Sequence, residues 1–272
     1  MRGILEFWKL CAAGNDFVLV RSEDASRIGM SLKRLAQVLC NRRRGVGGDG
    51  LLVVDRRKDL PAVSYLNSDG SAAFCGNGTR AAALWLYLQG ITRKARAFSF
   101  MSSAGLIHAK AAPDGRTASI RMPDPKGLRL GLKLSVPGWR GTAHSVDTGV
   151  PHLVVPVREL DGFDVAGVGR ALRRHPAFRP AGANVDFVTL GPRRVVMRTY
   201  ERGVEDETLA CGTGAVAAAV VAAALGSAEP PVKVLVRGGD VLQADFHLEG
   251  GAAREVWLQG PASIVYTGGF PC

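Results

Sequence analysis

The sequence predicts a mixed α+β fold of two similar domains, each with strands wrapped around one buried helix and a cleft between them. Three observations predict it. A phrase recurs about half a chain apart: Cys75-Gly76-Asn77-Gly78-Thr79 leads into Arg80-Ala81-Ala82-Ala83-Leu84, and Cys211-Gly212-Thr213-Gly214-Ala215 leads into Val216-Ala217-Ala218-Ala219-Val220. Strand-like apolar runs flank each copy. The second copy is small and apolar on every side, so its helix must be buried all round.

Taken in order, apolar or alternating runs at residues 4–10, 17–21, 51–55, 97–101, 106–111 and 117–122 predict strands in the first half. Ser31 is the candidate N-cap of a helix that carries Leu32, Leu35, Ala36 and Leu39 at helical spacing. A second helix follows Cys75 and runs to Gln89, where Gly90 stops it. The second half repeats the plan, with strands at 143–146, 152–157, 185–190, 195–200, 232–236, 241–247 and 255–258, and helices at 165–174 and 212–225. The Pro/Gly-rich stretch 123–141 shows no core pattern and reads as the boundary. It divides an N-terminal domain, 1–124, carrying Cys75, from a C-terminal domain, 125–263, carrying Cys211.

Composition narrows the function classes. With 272 residues, 47% hydrophobic and 22% charged, the chain reads as a turn-rich globule rather than a disordered or fibrous protein. No apolar run approaches the roughly 20 residues of a membrane helix, and the first ten residues, with Glu6 and Lys9, lack the pattern of a signal peptide. A cytoplasmic protein without a membrane partner is expected. Five scattered cysteines without a CxxC pair argue against a disulfide framework or zinc ribbon; Cys11 and Cys40 read as core, and Cys272 as a fraying terminus. The net charge of +11 would suit nucleic acid, but the basic residues are dispersed. The one dense run, Asn41-Arg42-Arg43-Arg44, reads as the solvated end of a helix that stops at Gly45. A basic nucleic-acid-binding module is therefore the remote alternative, and no nucleic-acid partner is expected.

The repeated phrase carries the chemistry. A thiol at the mouth of a helix meets unpaired backbone N–H groups and the positive end of the helix dipole, so its pKa is expected to fall. Two such thiols, Cys75 and Cys211, form a matched pair: one thiolate takes a proton from a bound carbon while the other thiol delivers one to the opposite face. That is the chemistry of a racemase or epimerase. The carbanion needs preorganised donors, and the N–H groups at Gly76-Asn77 and Gly212-Thr213 supply them, with glycine beside each cysteine admitting an α-carboxylate. No cofactor is expected, because none of the 8 lysines lies in the repeated motifs to form a pyridoxal-phosphate Schiff base. No metal is expected either: the five histidines show no HExxH or paired-ligand spacing. The loop from Gly45 to Gly50 lacks the Gly-Lys-Ser/Thr ending of a P-loop and the GxGxxG spacing, and reads as a substrate-side turn.

Further phrases accompany the cysteines in a fixed order: Gly14-Asn15-Asp16-Phe17, Gly45-Val46-Gly47-Gly48-Asp49-Gly50, Asn67-Ser68-Asp69-Gly70-Ser71, Pro151-His152, Ala183-Asn184-Val185 and Tyr200-Glu201-Arg202-Gly203. With them the chain resembles the diaminopimelate epimerases, cofactor-independent enzymes, over nearly its whole length. The resemblance implies two domains, each a mostly antiparallel sheet around a central helix, with the last strand, about 264–272, returning to the first domain and the two thiols meeting across the cleft. It implies conversion of LL-2,6-diaminopimelate to the meso form, on the route to lysine and peptidoglycan, by a homodimer. It places His152 and Glu201 near the thiol pair. Arg202, whose planar fork binds a carboxylate bidentately, and Asn15, Asn67 and Asn184 would recognise the far end of the substrate. Asn77 either joins that pocket or holds its turn. Two positions depart from the family pattern: Val150 stands where many members have asparagine before the Pro-His pair, and Gly50 where glutamine is frequent. A cofactor-independent racemase of another α-amino acid, such as histidine, is the enzyme alternative.

Overall fold

Strands buried on both faces begin the chain. β1 (Ile4–Ala12) and β2 (Asn15–Arg21) pair antiparallel through a turn in which Ala13 and Gly14 both take left-handed φ, 50° and 84°, the geometry of a tight hairpin. The computed structural model describes residues 3–57, 60–92, 95–191 and 194–272. Its chain falls into two units, Met1–Ile120 with Gly260–Cys272, and Arg121–Gln259.

In the first unit two short helices follow, α1 (Ser22–Ile28) and α2 (Leu32–Leu39), the latter capped by the Ser31 hydroxyl accepting from Arg34 N–H at 3.3 Å. β3 (Gly50–Asp55), β4 (Ala62–Asn67), α3 (Gly76–Leu88), β5 (Ala97–Ser102), β6 (Gly105–Ala111) and β7 (Thr117–Arg121) complete it, with the chain's last strand, Ser263–Pro271, lying antiparallel to β1. α3 touches β1, β2, β3, β4, β6 and the last strand. Along β2 the side chains alternate between Val18 and Val20, which pack on the α2 side with Leu35 and Leu39, and Phe17, which faces α3. Trp8 of β1 meets Trp85 of α3 edge to face with centroids 5.0 Å apart.

The second unit comprises β8 (Lys126–Val136), β9 (Trp139–Asp147), β10 (Pro151–Pro156), α4 (Val165–Arg173), β11 (Asn184–Leu190), β12 (Val195–Glu201), β13 (Asp206–Thr208), α5 (Gly212–Ala224), β14 (Val232–Val236), β15 (Val241–Glu249) and β16 (Ala252–Pro261). The last strand of the chain is thus β17. α5 touches β9, β10, β11, β12, β14 and β15, and its residues from Gly214 to Ala222 are buried.

The repeat in sequence is a repeat in topology. From β17 through β1, β2, β3, β4, β5 and β6 to β7, neighbours pair antiparallel, antiparallel, parallel, antiparallel, parallel, antiparallel and antiparallel. From β8 through β9, β10, β11, β12, β14 and β15 to β16 the order is the same. The fold is a two-domain, sheet-dominated α+β architecture, and each domain has its cysteine-capped helix inside.

Three local expectations are corrected. The stretch 123–141, read as the boundary and given no strand, contains β8, whose leucines alternate with Gly, Arg and Lys; Gly127 and Gly131 take left-handed φ where its pairing to β9 shifts register. The arginine run does not end a helix, since α2 stops at Leu39 and Arg42 to Arg44 lie in the turn beyond. Cys272 is held rather than frayed, its N–H donating to Gly3 O at 3.0 Å. No helix among the described residues is long and apolar enough to cross a membrane.

Candidate active site

Both repeated helices run 13 residues, and each N-cap is the cysteine, in extended backbone at φ −133°, ψ 112° for Cys75 and φ −126°, ψ 113° for Cys211. In the first unit the Cys75 sulfur accepts from Gly78 N–H at 3.4 Å, while its carbonyl accepts from Thr79 N–H and Thr79 Oγ1, each at 2.8 Å. The dipole and these donors give that helix mouth the character of an anion site. A Cβ at Gly76 would meet no atom within 4 Å, so the approach to the mouth is open.

A directed chain of amides stands beside Cys75. Asp49 accepts from Asn15 Nδ2 at 2.9 Å, Asn15 Oδ1 accepts from Asn77 Nδ2 at 2.8 Å, and Asn77 Oδ1 accepts from Arg80 Nη2 at 2.6 Å. Asn77 and Arg80 are buried, so Asn77 is a link in this chain rather than a turn residue. At its far end Arg42 bridges Asp16 and Asp49 with contacts of 2.6 and 2.7 Å, and the nearly buried Lys9 donates to Asp16 at 2.6 Å and to Gly47 O. Although burial works against it, Arg42 and Lys9 hold the Asp16 carboxyl at about 2. The loop from Gly45 to Gly50 therefore anchors Asn15 through Asp49. Asn67, at the end of β4, donates from Nδ2 to Ser71 Oγ at 2.9 Å within its own turn.

The second unit surrounds its thiol differently. Cys211 Sγ lies 3.4 Å from Thr213 Oγ1, which lies 3.0 Å from His152 Nε2, and His152 Nδ1 lies 2.7 Å from Asp186 Oδ2. His152 and Asp186 side chains are wholly buried. Thr199 donates to the second Asp186 oxygen at 2.8 Å, and Asn184 Nδ2 sits 3.2 Å from His152 Nε2. The Glu201 carboxylate accepts from Thr208 Oγ1 at 2.6 Å and hydrogen-bonds Cys211. Arg202 follows it, its N–H donating to Asn184 Oδ1 at 2.8 Å and its guanidinium reaching the carbonyls of Ala181 and Gly182 at 3.5 Å.

The expected fall in thiol pKa is corrected at Cys211. Burial, then the charges of Glu201 and Asp186, push it well above an ordinary thiol, and the Thr213 hydroxyl or the Gly214 N–H turned to the sulfur acts the other way. Burial likewise raises the Glu201 carboxyl, against the hydrogen bonds from Thr208 and Cys211. Sequence reasoning missed Asp49, Arg80, Asp186 and Thr208. Two of them carry a signal: Asp186 interrupts an apolar strand and Arg80 an apolar helix, and buried charges need partners. Among the described residues no group of three or more His, Cys, Asp or Glu is placed to hold a metal ion.

The comparisons decide the family. The sequence matches the family described as diaminopimelate epimerase over residues 7–126 and 144–265. The chain belongs to the diaminopimelate epimerase family. The diaminopimelate epimerase of Aquifex aeolicus (strain VF5) is 39% identical over 278 aligned positions, covering 97% of each chain. That of Campylobacter jejuni (strain RM1221) is 37% identical, covering 98% of this chain and 99% of the other. Among solved structures, a Bacillus anthracis phenazine biosynthesis protein of the PhzF family aligns with TM-score 0.72 at 14% identity, over 99% of this chain and 100% of that one. A hydroxyproline epimerase from Agrobacterium vitis aligns with TM-score 0.66 at 17% identity, over 100% of this chain and 94% of that one. At such identities these two structures speak for the fold alone.

Within this diaminopimelate epimerase family member, one departure from the pattern has a structural counterpart. A Cβ at Gly50 would lie 2.6 Å from both the Tyr65 hydroxyl and Leu66 O, so the tyrosine ring fills the space a glutamine would need. Burial and then the charge of Cys75 raise the Tyr65 hydroxyl pKa, so the phenol is a neutral donor near that thiol. Val150 is half-buried, its carbonyl accepting from Thr148 N–H at 3.1 Å.

Proposed function

We propose that this protein interconverts LL- and meso-2,6-diaminopimelate by proton transfer at the α-carbon, with Cys75 and Cys211 as the two acid/base groups and no cofactor. The observation that carries the reading is the pair of cysteine-capped helices, alike in length and cap geometry, in a chain of the diaminopimelate epimerase family. One thiolate takes the α-proton, leaving a carbanion; the opposite thiol gives its proton to the other face and becomes the thiolate. The proton count is unchanged, and the charge has moved from one sulfur to the other.

Each remaining group has a part in this reading. The N–H groups at the two helix mouths hold the α-carboxylate and stabilise its developing charge. Glu201, whose raised carboxyl pKa suits proton exchange, serves Cys211 directly. Asn15 and Asn77, fixed in orientation by Asp49 and Arg80, present one remaining amide hydrogen and one lone pair each. Asn67, Asn184 and Arg202 read the distal amino-acid end, with Arg202 binding its carboxylate. The need for reduced thiols suits a cytoplasmic location, and the family resemblance supports a homodimer.

The test is incubation of the reduced protein with LL-diaminopimelate in heavy water without pyridoxal phosphate. Expected are α-proton loss and appearance of the meso isomer, lowered by roughly 10²-fold or more in Cys75→Ala and in Cys211→Ala. Full activity in either variant would exclude the two-thiol mechanism.

A further inference from the structure

The face of the second unit's sheet turned away from α5 holds a cavity of about 460 Å³, bordered by β8, β9, the start of β10 and the segment 177–182. Alternation along the strands fixes the face. Ser145 of β9 stands opposite Leu153 of β10, and Leu153 lies with Ala143 in the core beneath α4. His152 pairs instead with Val146, and its wholly buried side chain turns to Thr213 at the mouth of α5, so only its backbone borders the cavity. The sheet therefore separates this cavity from the Cys211 thiol. The segment that walls it is also the one whose last two carbonyls, of Ala181 and Gly182, hold the Arg202 guanidinium.

One cation is built into the cavity by the path of β8. Its register on β9 runs Lys126 to Asp147, Arg129 to Ser145 and Leu132 to Ala143, three residues of β8 for every two of β9. Each extra residue falls beside a glycine in left-handed backbone, Gly127 at φ 62° and Gly131 at φ 78°. Strict alternation from Leu132 would send Arg129 to the other face; the bulges bring it to the face of Ala143 and Ser145. There the buried Ser145 hydroxyl accepts from Arg129 Nε at 3.1 Å. That bond fixes the plane of the guanidinium and leaves its two Nη groups as a fork. A serine stands between the core residues Ala143 and Leu153, and its side chain serves this arginine.

Charge and lining name the ligand. Lys126, Arg129 and Arg179 border the cavity, and none of them is in an ion pair among the described residues. The one carboxylate of the lining, Asp147, accepts from Gly149 N–H at 2.8 Å. Three cations against one acid suit a dianion. Phe178, Pro151 and Pro180 add apolar wall, which suits a carbon skeleton better than an inorganic ion, and the volume is that of a small-molecule site. We infer that this cavity is a second ligand site, for a small organic dicarboxylate, with one carboxylate held bidentately by Arg129 and the other met by Lys126 and Arg179. The inference stands apart from the two-thiol reading, because no residue of the thiol pair takes part.

The test is calorimetric titration of glutarate, a dicarboxylate without an amino group, into the whole protein at low ionic strength. A protein that does not epimerise diaminopimelate still reports. Saturable binding to the wild type is expected, weakened roughly tenfold or more in Arg129→Gln. Arg129 is exposed, so this variant is expected to keep the wild-type urea midpoint. Arg140→Gln is the control for net charge, an exposed arginine of β9 outside the cavity, and its affinity is expected to match the wild type. Equal weakening in both variants would reduce the effect to the overall positive charge and overturn the site. Binding that survives Arg129→Gln but is lost in Arg202→Gln would place glutarate at the proposed distal end of the substrate site and overturn it too, as would no binding to the wild type. Inorganic phosphate is expected to bind more weakly than glutarate, and equal or tighter binding overturns the dicarboxylate assignment.

Discussion

Single residues divide by what a changed side chain would meet. Gly76 has open space around its missing Cβ, so Gly76→Ala is expected to fold at least as stably as wild type, with a gain of up to about 1 kcal/mol from helix propensity. Its methyl group would stand at the helix mouth, and a rise in KM with a urea midpoint no lower than that of wild type is the expected pair of results. Arg202→Lys should raise KM for diaminopimelate roughly tenfold or more, because an ammonium cannot reproduce the fork; unchanged kinetics would move the distal carboxylate to another residue. Reading single residues from the sequence placed Cys75 and Cys211 at helix mouths, where both stand as N-caps. It missed Asp186 and Arg80, because a charged residue in an apolar run is read as exposed until its buried partners are seen, and those lie 34 positions away for Asp186 and its histidine.

At the scale of elements, the repeated helices were legible because glycine and small apolar residues leave few alternatives to a buried helix. α3 and α5 begin where expected. Gly214 shows what the sequence hid: glycine-to-alanine in a helix ordinarily stabilises by about 1 kcal/mol, but here the methyl group would press on Asp186. Gly214→Ala is therefore expected to lower the urea midpoint, by roughly 1–3 kcal/mol of stability. A neutral or stabilising result would mean that Asp186 yields easily and is not held by its partners. β8 was missed for the opposite reason. Its glycines and charges read as a linker, and it is a strand only because β9 supplies the partner and two glycines absorb the register shifts.

For the whole molecule, the sequence repeat foretold two similar domains, and the pairing order of their strands is the same. Stability in acid is a property of the first unit's ion network. The Asp16 carboxyl sits at about 2 in the folded chain against 3.8 ordinarily, so its contribution is complete above that ordinary value and is lost as pH falls toward 2. Urea midpoints are expected to drop between about pH 4 and pH 2, and to drop less in Asp16→Asn, which starts less stable at neutral pH. Equal pH slopes in the two proteins would assign the acid sensitivity elsewhere.

The sequence by itself determined the epimerase family, the two cysteine-capped helices and the repeated α+β plan, because helix mouths, glycine beside cysteine and small apolar helices depend on neighbours along the chain. Only the tertiary structure decided how the two thiols differ. The same helix cap meets Phe17, Leu52 and Tyr65 in one unit and His152, Asp186 and Thr199 in the other. The proton affinity of a buried thiol is set by burial and by the charges and hydrogen bonds around it, and these arrive from strands far away in the chain.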